Sequence, residues 1–156
     1  MADIYCIDAN IVIFLAQRMP RDVYPGPWNA MESLVAAGRA TMPEEVHIEL
    51  RRVADECFGW ARDLDTFVRL TTIAEVALAT QITNRYPGWV SQRENAADPF
   101  VVAHASVFGH VIVTDERRKG PGTQPHNLKI PNVADDWGVE CLTYLELARR
   151  EGWRFT

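Results

Sequence analysis

The clearest hydrophobic pattern lies near the start of the chain, where the apolar run from Ile4 to Ile7 is followed at once by Asp8. Four consecutive, largely apolar residues without alternation are typical of a strand buried on both faces, as in a parallel sheet covered by helices. Asp8 would then stand at the carboxyl end of that strand, where ligands bind in open α/β sheets. The residues that meet Asp8 therefore decide what this protein can do.

Helical periodicity alternates with short apolar runs along the rest of the chain. Predicted helices cover 10–17, 28–37, a segment opened by Pro43, two stretches between 59 and 84, and 98–108, 131–137 and 143–151. Predicted strands cover 39–42, 110–113 and 139–142, with a short extended piece near 70–72. Pro20 and Pro25-Gly26-Pro27 are expected to separate the first two helices, and 85–97 and 117–129 are expected to be loops. This alternation predicts one α/β domain spanning 1–156, a three-layer α/β/α sandwich with a central, mainly parallel sheet.

The helix after Pro43 carries a carboxylate beside its apolar stripe. Apolar residues recur there at intervals of three and four, at Met42, Val46, Leu50, Val53 and Cys57. Glu49 lies three residues after Val46 and four before Val53, so it borders the buried face and needs a partner there. Glu45 is one turn earlier, but a glutamate in the first turn of a helix already has a structural explanation. Glu49 is therefore the better functional candidate.

Asp98 and Pro99 open the most regular helix. Its predicted inward residues are Val101, Val102, Ala105 and Phe108, and Gly109 is predicted to end it. Asp at the N-cap followed by Pro at the first helical position is ordinary capping, and for Asp98 taken alone this is the stronger explanation. The next strand, however, ends in Thr114-Asp115-Glu116, a second set of polar groups at a strand's carboxyl end. That neighbour makes Asp98 a functional candidate too.

Composition narrows the classes of function. The formal net charge of −5 argues against a broad basic surface for nucleic acid, although local phosphate contacts could come from Arg51-Arg52 or Arg117-Arg118-Lys119. The N-terminus lacks the order of a signal peptide and no apolar run could span a bilayer, so we expect a soluble, cytoplasmic protein without membrane contact. The three cysteines form no C-x-x-C pair, and the four histidines show no metal-ligand spacing.

Four places thus offer a carboxylate to one crevice: Asp8, Glu49, Asp98, and Asp115 or Glu116. Clustered carboxylates repel one another, and a hard divalent cation with oxygen ligands is the commonest way to offset that repulsion. We therefore expect a site for Mg²⁺ or Mn²⁺. The sequence contains neither a Gly-rich phosphate loop nor a G-x-S-x-G elbow.

Six short motifs follow one another along nearly the whole chain. They are Tyr5-Cys6-Ile7-Asp8-Ala9-Asn10, Tyr24-Pro25-Gly26-Pro27-Trp28, Glu45-Val46-His47-Ile48-Glu49-Leu50, Ala97-Asp98-Pro99-Phe100, Val111-Ile112-Val113-Thr114 and Lys129-Ile130-Pro131-Asn132-Val133. In this ordered set the chain resembles the PIN-domain proteins, the fold of the VapC-type toxin ribonucleases, and in particular a PIN-like subgroup long catalogued as a domain of unknown function. Each motif is weak singly, while the ordered set is fairly specific.

The resemblance implies a Mg²⁺-dependent endoribonuclease. Asp8 matches the first-strand acid, Glu49 the helix acid and Asp98 the acid that opens the later helix, while the supporting polar positions fall on Asn10 and Thr114. The fourth acid departs from the usual Thr-x-Asp pattern: Glu116 stands in the place of that Asp, and Asp115 is kept as its substitute. Metal ions held by these acids would polarise the scissile phosphate and activate a water for in-line attack.

The resemblance also suggests biological partners. Single-domain PIN proteins of this size commonly act as the toxin of a type II toxin–antitoxin pair, with RNA as substrate and a protein antitoxin that blocks the acidic crevice. An Arg or Lys from such a partner would complement the carboxylates. A housekeeping RNA-processing nuclease stays open as the alternative function, and a homodimer stays open as the assembly.

Two other functional classes are open. A haloacid-dehalogenase-type phosphatase also places an Asp after its first strand, with Lys129 as a charge partner, but it has a second Asp where this chain has Asn10. The other class is a non-catalytic binding protein, either a receiver-like module or a PIN fold that has lost its metal. Carboxylates at all four positions argue against metal loss.

Overall fold

The structure, a computed structural model, describes residues 2–91 and 95–156. Its strands are β1 (Tyr5–Ile7), β2 (Ala40–Pro43), β3 (Val68–Arg69), β4 (Val111–Val113) and β5 (Cys141–Leu142). They form one five-stranded sheet in the order β3-β2-β1-β4-β5, and each neighbouring pair is parallel. The predicted parallel sheet is confirmed.

Eight α-helices connect and cover these strands in the described ranges. They are α1 (Ala9–Arg18), α2 (Pro25–Ala36), α3 (Glu44–Val53), α4 (Asp55–Asp63), α5 (Ile73–Arg85), α6 (Asp98–Phe108), α7 (Ile130–Asp136) and α8 (Tyr144–Arg150). The predicted three-layer α/β/α sandwich is thereby confirmed. None of these helices is long and apolar enough to cross a membrane.

The central strand β1 determines where the site lies. All three of its residues are fully buried, and Tyr5 pairs with Ala40 on one side and with Val111 on the other. Asp8 follows the strand directly, and its Oδ1 accepts a hydrogen bond from the Ala9 N–H at 2.8 Å and thereby caps α1. Because the strands are parallel, the segments that follow β1, β2 and β4 meet at one edge of the sheet.

Local details differ from the sequence predictions at several places. Helix α2 begins at Pro25, earlier than predicted, since proline fits the first helical turn, where the N–H groups have no intrahelical acceptor. Val53 is 61% exposed because α3 ends there: Ala54 leaves the helical conformation, and a separate helix, α4, begins at Asp55. Phe108, the last residue of α6, is 48% exposed and does not face the core. Residues 92–94 of the predicted loop 85–97 lie outside the described residues.

A chain of buried polar side chains joins α5 and α6 to the sheet. Glu75 on α5 accepts a hydrogen bond from His104 Nδ1 on α6 at 2.5 Å, and both side chains are 3% exposed. His104 Nε2 lies 3.1 Å from Thr41 Oγ1 on β2, and His110 Nδ1 lies 3.3 Å from the same oxygen. Buried polar groups are costly unless they are hydrogen-bonded, so this network favours one seating of the two helices on the sheet.

Candidate metal centre

Four predicted acids reach one edge of the sheet from four different parts of the fold. Asp8 follows β1, Glu49 lies on α3, Asp98 is the first residue of α6, and Glu116 lies beyond the end of β4. Burial raises the pKa of Asp98 well above its usual value, and the charges of Asp8, Glu116 and Glu49 raise it further. The structure therefore brings these four acids within electrostatic range of one another.

Asp8 is held in one orientation by hydrogen bonds to both of its carboxylate oxygens. The residue is 5% exposed; its Oδ1 accepts from the Ala9 N–H and its Oδ2 accepts from the Thr114 hydroxyl, both at 2.8 Å. Burial raises the pKa of Asp8, and these two hydrogen bonds, which favour the charged form, oppose that rise. The carboxylate is thus pre-oriented at the bottom of the crevice.

Asn10 and Thr114 fix the segment after β4 against the start of α1. Asn10 Nδ2 donates to Thr114 Oγ1 at 3.0 Å, and Asn10 Oδ1 accepts from the Asp115 N–H at 3.2 Å. The Glu116 N–H donates to Thr114 Oγ1 at 3.2 Å. Both predicted supporting residues therefore position the backbone that carries Glu116.

Asp115 and Glu116 have different surroundings. Asp115 Oδ1 accepts a hydrogen bond from the Tyr144 N–H at 3.0 Å, at the first residue of α8, although its charge also raises the pKa of Asp8. Burial raises the pKa of Glu116 to about 7, with further contributions from Asp8 and Glu49. One Asp115 oxygen is thus occupied in starting a helix, whereas the Glu116 carboxylate lies with the other acids.

The capping explanation for Asp98 is wrong. Helix α6 has Ala97 at its N-cap, and no side chain hydrogen-bonds to the first turn from that position. Ala97 already has helical backbone angles, which moves Asp98 into the helix as its first residue. There it is 8% exposed, with its charge directed to the acid cluster instead of to the free N–H groups of the helix.

Glu49 and Glu45 also separate clearly. Burial and the charge of Asp8 raise the pKa of Glu49, while the nearby Arg52 lowers it. Glu45 instead accepts a hydrogen bond from the Thr71 hydroxyl through Oε2, and its Oε1 is buried without a hydrogen-bond partner among the described residues. Glu49 therefore belongs to the acid cluster and Glu45 contacts the segment after β3.

Lys129 is a cation that faces the acids. It lies at the N-cap of α7, and its charge lowers the pKa values of both Asp98 and Glu116 against the larger effect of burial. The Ile130 N–H, at the first residue of α7, also lowers the pKa of Glu116. In the sequence Lys129 stood out only as the charge partner of a phosphatase alternative, since the loop before it hides how close it comes to Glu116.

Sequence reasoning gave no role to Asn132. Its Oδ1 accepts hydrogen bonds from the N–H groups of Lys119 at 3.0 Å and Lys129 at 3.1 Å, and its Nδ2 donates to the Lys119 carbonyl at 2.9 Å. The sequence feature that could have indicated this role is the position of Asn132, three residues after the N-cap Lys129. A side chain at that position often hydrogen-bonds back to the N-cap backbone. Asn132 thus anchors both ends of the long loop beside the acids.

The donor set fits a hard divalent cation in its chemistry. Four carboxylates from separate elements, without a sulfur or imidazole ligand among them, match the preference of Mg²⁺ and Mn²⁺ for oxygen. Within residues 2–91 and 95–156, however, no three His, Cys, Asp or Glu side chains lie in an arrangement that would already hold one ion. Burial and the mutual repulsion of the charged forms raise the pKa values of these acids, and a bound cation would offset that charge.

Comparison with known proteins places the chain in a family. A search of curated proteins gives no match. The model of one family, described as a domain of unknown function (DUF4411), matches residues 5–155, from the first residue of β1 to the penultimate residue of the chain. This match includes every acid of the cluster and both supporting residues, and the chain belongs to the DUF4411 family.

Proposed function

We propose that this protein is a metal-dependent endoribonuclease of the PIN-like type, which hydrolyses an RNA phosphodiester bond at the acid cluster. The observation that carries the proposal is the meeting of Asp8, Glu49, Asp98 and Glu116, each from a different element, at the carboxyl edge of a parallel sheet. The resemblance of the six ordered motifs to PIN-domain proteins supplies the reaction class and the substrate.

In the proposed reaction, some residues would bind the metal ion and others would orient those metal-binding residues. Asp8, Glu49, Asp98 and Glu116 would hold Mg²⁺ or Mn²⁺, which supplies charge stabilisation at the phosphate and a more acidic bound water. Thr114 orients the Asp8 carboxylate, and Asn10 fixes the backbone of Asp115, next to Glu116. No side-chain nucleophile is needed, because water is the attacking group in such a hydrolysis.

The phosphatase alternative is weakened by the contacts of Asn10. A haloacid-dehalogenase-type enzyme needs an acid/base carboxyl at that position, two residues after its nucleophile. Here the amide group donates to Thr114 and accepts from the Asp115 N–H, so both of its ends are used in holding the loop. An amide in this setting cannot deliver a proton to a leaving group, whereas it suits a supporting role beside a metal site.

The biological proposal is the toxin of a type II toxin–antitoxin pair, restrained by a protein antitoxin. It rests on the family resemblance and on the excess of carboxylates over cations in the crevice. A partner that inserts an Arg or Lys would pair with the acids and disfavour metal entry. The acid cluster does not require a second copy of the chain, since all four acids come from one chain.

The test is cleavage of a 5′-labelled single-stranded RNA by purified protein, with and without Mg²⁺. We expect internal cleavage that stops in EDTA and is absent in Asp8→Asn. The same preparation should not hydrolyse a small phosphomonoester. Turnover of the phosphomonoester without RNA cleavage would support the phosphatase, and absence of both activities together with retained RNA binding would support a binding protein.

A further inference from the structure

The two lysines of the chain line the same cleft. Lys119 and Lys129 are the only lysines in the sequence, which has 16 Lys and Arg residues together. The cleft has a volume of about 670 Å³, and its polar lining also includes Asn95, Gln124, His126 and Asn127. None of its lining residues in the described part of the chain is acidic, although the sequence contains 21 Asp and Glu residues.

The cleft is held in shape by hydrogen bonds from outside the loop. The Asn132 side chain binds the backbone of Lys119 through both its N–H and its carbonyl, and it binds the Lys129 N–H as well. Trp89 Nε1 donates to the Leu128 carbonyl at 3.0 Å, which fastens the residue before Lys129. The backbones that carry the two ammonium groups are therefore fixed before any ligand arrives, which lowers the entropic cost of binding.

The cleft adjoins the acid cluster through Lys129. This residue lines the cleft, and its charge acts on Asp98 and Glu116. Lys119 lies three residues after Glu116 on the segment that leaves the cluster. A ligand that extends from the acids into the cleft would therefore pass Lys129, and Lys119 lines the same cleft.

We propose that this cleft binds the phosphodiester backbone of single-stranded RNA on one side of the scissile phosphate, with Lys129 and Lys119 as its phosphate contacts; the inference rests on the proposed nuclease function. Ammonium groups bind phosphate as point charges, and the amide side chains of the lining suit ribose and phosphate oxygens. A concave cleft admits an extended strand, whereas a duplex presents its phosphates on a convex surface. Recognition of this kind is independent of base sequence.

The binding test uses the full chain in EDTA, so that no cleavage occurs, and a fluorescein-labelled single-stranded RNA of 12 nucleotides. Anisotropy titrations between 50 and 200 mM salt give the affinity and its salt slope. We expect Lys119→Gln and Lys129→Gln each to weaken binding about three- to tenfold and to reduce the slope of log K against log salt by about 0.7, the value for one phosphate contact in single strands. Lys119→Arg and Lys129→Arg should retain most of the affinity.

The matched control is Arg149→Gln. Arg149 is an exposed cation in the last turn of α8. It lies at the opposite end of that helix from Tyr144, whose N–H donates to Asp115. Its loss changes the net charge by the same amount as each lysine variant. We expect it to leave both the affinity and the salt slope unchanged. A loss equal to that of the lysine variants would show that only the overall charge matters and would overturn the proposal.

The cleft can also be observed directly. Reductive ¹³C-methylation gives NMR signals from only two lysine side chains and the terminal amine, and RNA should shift both lysine signals. Unchanged signals at saturating RNA, or tighter binding of duplex than of single-stranded RNA, would contradict the assignment. If the parent cleaves RNA while the Gln variants bind and cleave like it, the cleft assignment is wrong and the nuclease proposal stands. If the parent binds RNA through both lysines yet never cleaves it, the cleft stands and the nuclease proposal is wrong.

Discussion

The Thr114 hydroxyl donates a hydrogen bond to Asp8 Oδ2 at 2.8 Å, across 106 residues of sequence. Thr114 Oγ1 itself accepts hydrogen bonds from Asn10 Nδ2 at 3.0 Å and from the Glu116 N–H at 3.2 Å. One buried side chain thus connects the acid after β1 with the segment that carries the acid after β4. The hydrogen bonds of Thr114 therefore help to set the distance between Asp8 and Glu116.

This relationship predicts the effect of Thr114→Val, which keeps the shape of the side chain and removes its hydroxyl. Asn10 Nδ2 and the Glu116 N–H lose an acceptor, so we expect the free energy of unfolding to fall by about 1–3 kcal/mol. We also expect Mn²⁺ affinity to fall about 10- to 100-fold, as for other residues that orient metal ligands. Calorimetric Mn²⁺ titration measures the affinity, Thr114→Ser should restore most of it, and exposed Thr80→Val is the control. Parent-like affinity in Thr114→Val would refute the positioning role.

The acid assignment predicts unequal effects within two neighbouring pairs. Glu49→Gln and Glu116→Gln should weaken Mn²⁺ binding more than Glu45→Gln and Asp115→Asn, because only the first two carboxylates share the cluster with Asp98. The four single variants are compared by the same titration, with circular dichroism as the check on folding. Larger losses at Glu45 and Asp115 would reverse the assignment.

Glu116 makes metal binding dependent on pH. Its pKa of about 7 without metal means that a bound cation must displace a proton over much of the neutral range. We expect Mn²⁺ affinity to rise between pH 6 and 8, with proton release visible as a difference between buffers of unequal ionisation enthalpy. Glu116→Gln should bind more weakly and lose this part of the pH dependence. An affinity that is flat from pH 6 to 8 in the parent would contradict the prediction.

The same shift affects the stability of the metal-free protein. The folded-state pKa of Glu116 is raised above its usual 4.5, so between pH 4.5 and about 7 the folded protein binds more protons than the unfolded chain. The resulting stabilisation is complete below pH 4.5 and is lost as the pH rises through 7. Denaturant unfolding in EDTA should show a parent-minus-Glu116→Gln difference that declines over this window. A difference that grows with pH would have the wrong sign.

The buried contact between Glu75 and His104 predicts that a substitution there changes stability without changing metal binding. Glu75→Gln weakens the hydrogen bonds that the buried Glu75 carboxylate accepts from His104 and Thr72, and weakening such buried hydrogen bonds to a charged group costs about 1–3 kcal/mol. His110, at the Thr41 end of this network, precedes β4, whereas the acids lie at the opposite edge of the sheet. We therefore expect a lower unfolding midpoint with unchanged Mn²⁺ affinity per folded molecule. A large loss of metal affinity without a loss of stability would show instead that the network serves the acid cluster.

The toxin proposal predicts growth arrest when the parent is expressed in a bacterial host. Asp8→Asn should not arrest growth, because that substitution removes a charged member of the acid cluster. Co-expression of the protein encoded beside it should restore growth. Normal growth with abundant, folded and RNA-cleaving parent would count against the toxin and leave the nuclease intact.

The sequence was a good guide wherever local chemistry determines structure. The buried run before Asp8 and the helix over 143–151 were both predicted, because strand burial and helix formation depend on a few adjacent residues. At Asp98 the local pattern alone favoured a cap, whereas the polar groups at the end of the next strand favoured a functional residue; the structure has the N-cap at Ala97. Tertiary context overrides local preference in such places.

The contents of the crevice were harder to predict from sequence. Glu49 could be chosen over Glu45 by its place on the helix, but the choice between Asp115 and Glu116 depends on the Tyr144 N–H, which approaches from 29 residues away. The role of Asn132 likewise depends on a loop whose path no periodicity encodes. Contacts of this kind require the fold to be known first.

The order of the sheet has a consequence for biosynthesis. β1 is made first yet sits at the centre, and it pairs with β4, which leaves the ribosome much later. The acids occur at positions 8, 49, 98 and 116, so the last of them is translated 108 residues after the first. A truncated or still nascent chain therefore lacks a complete set, and contacts between distant residues also slow the closure of the fold. Any cleaving activity should consequently appear only after Glu116 has been translated and β4 has paired with β1, and a product terminated before Glu116 should not cleave RNA.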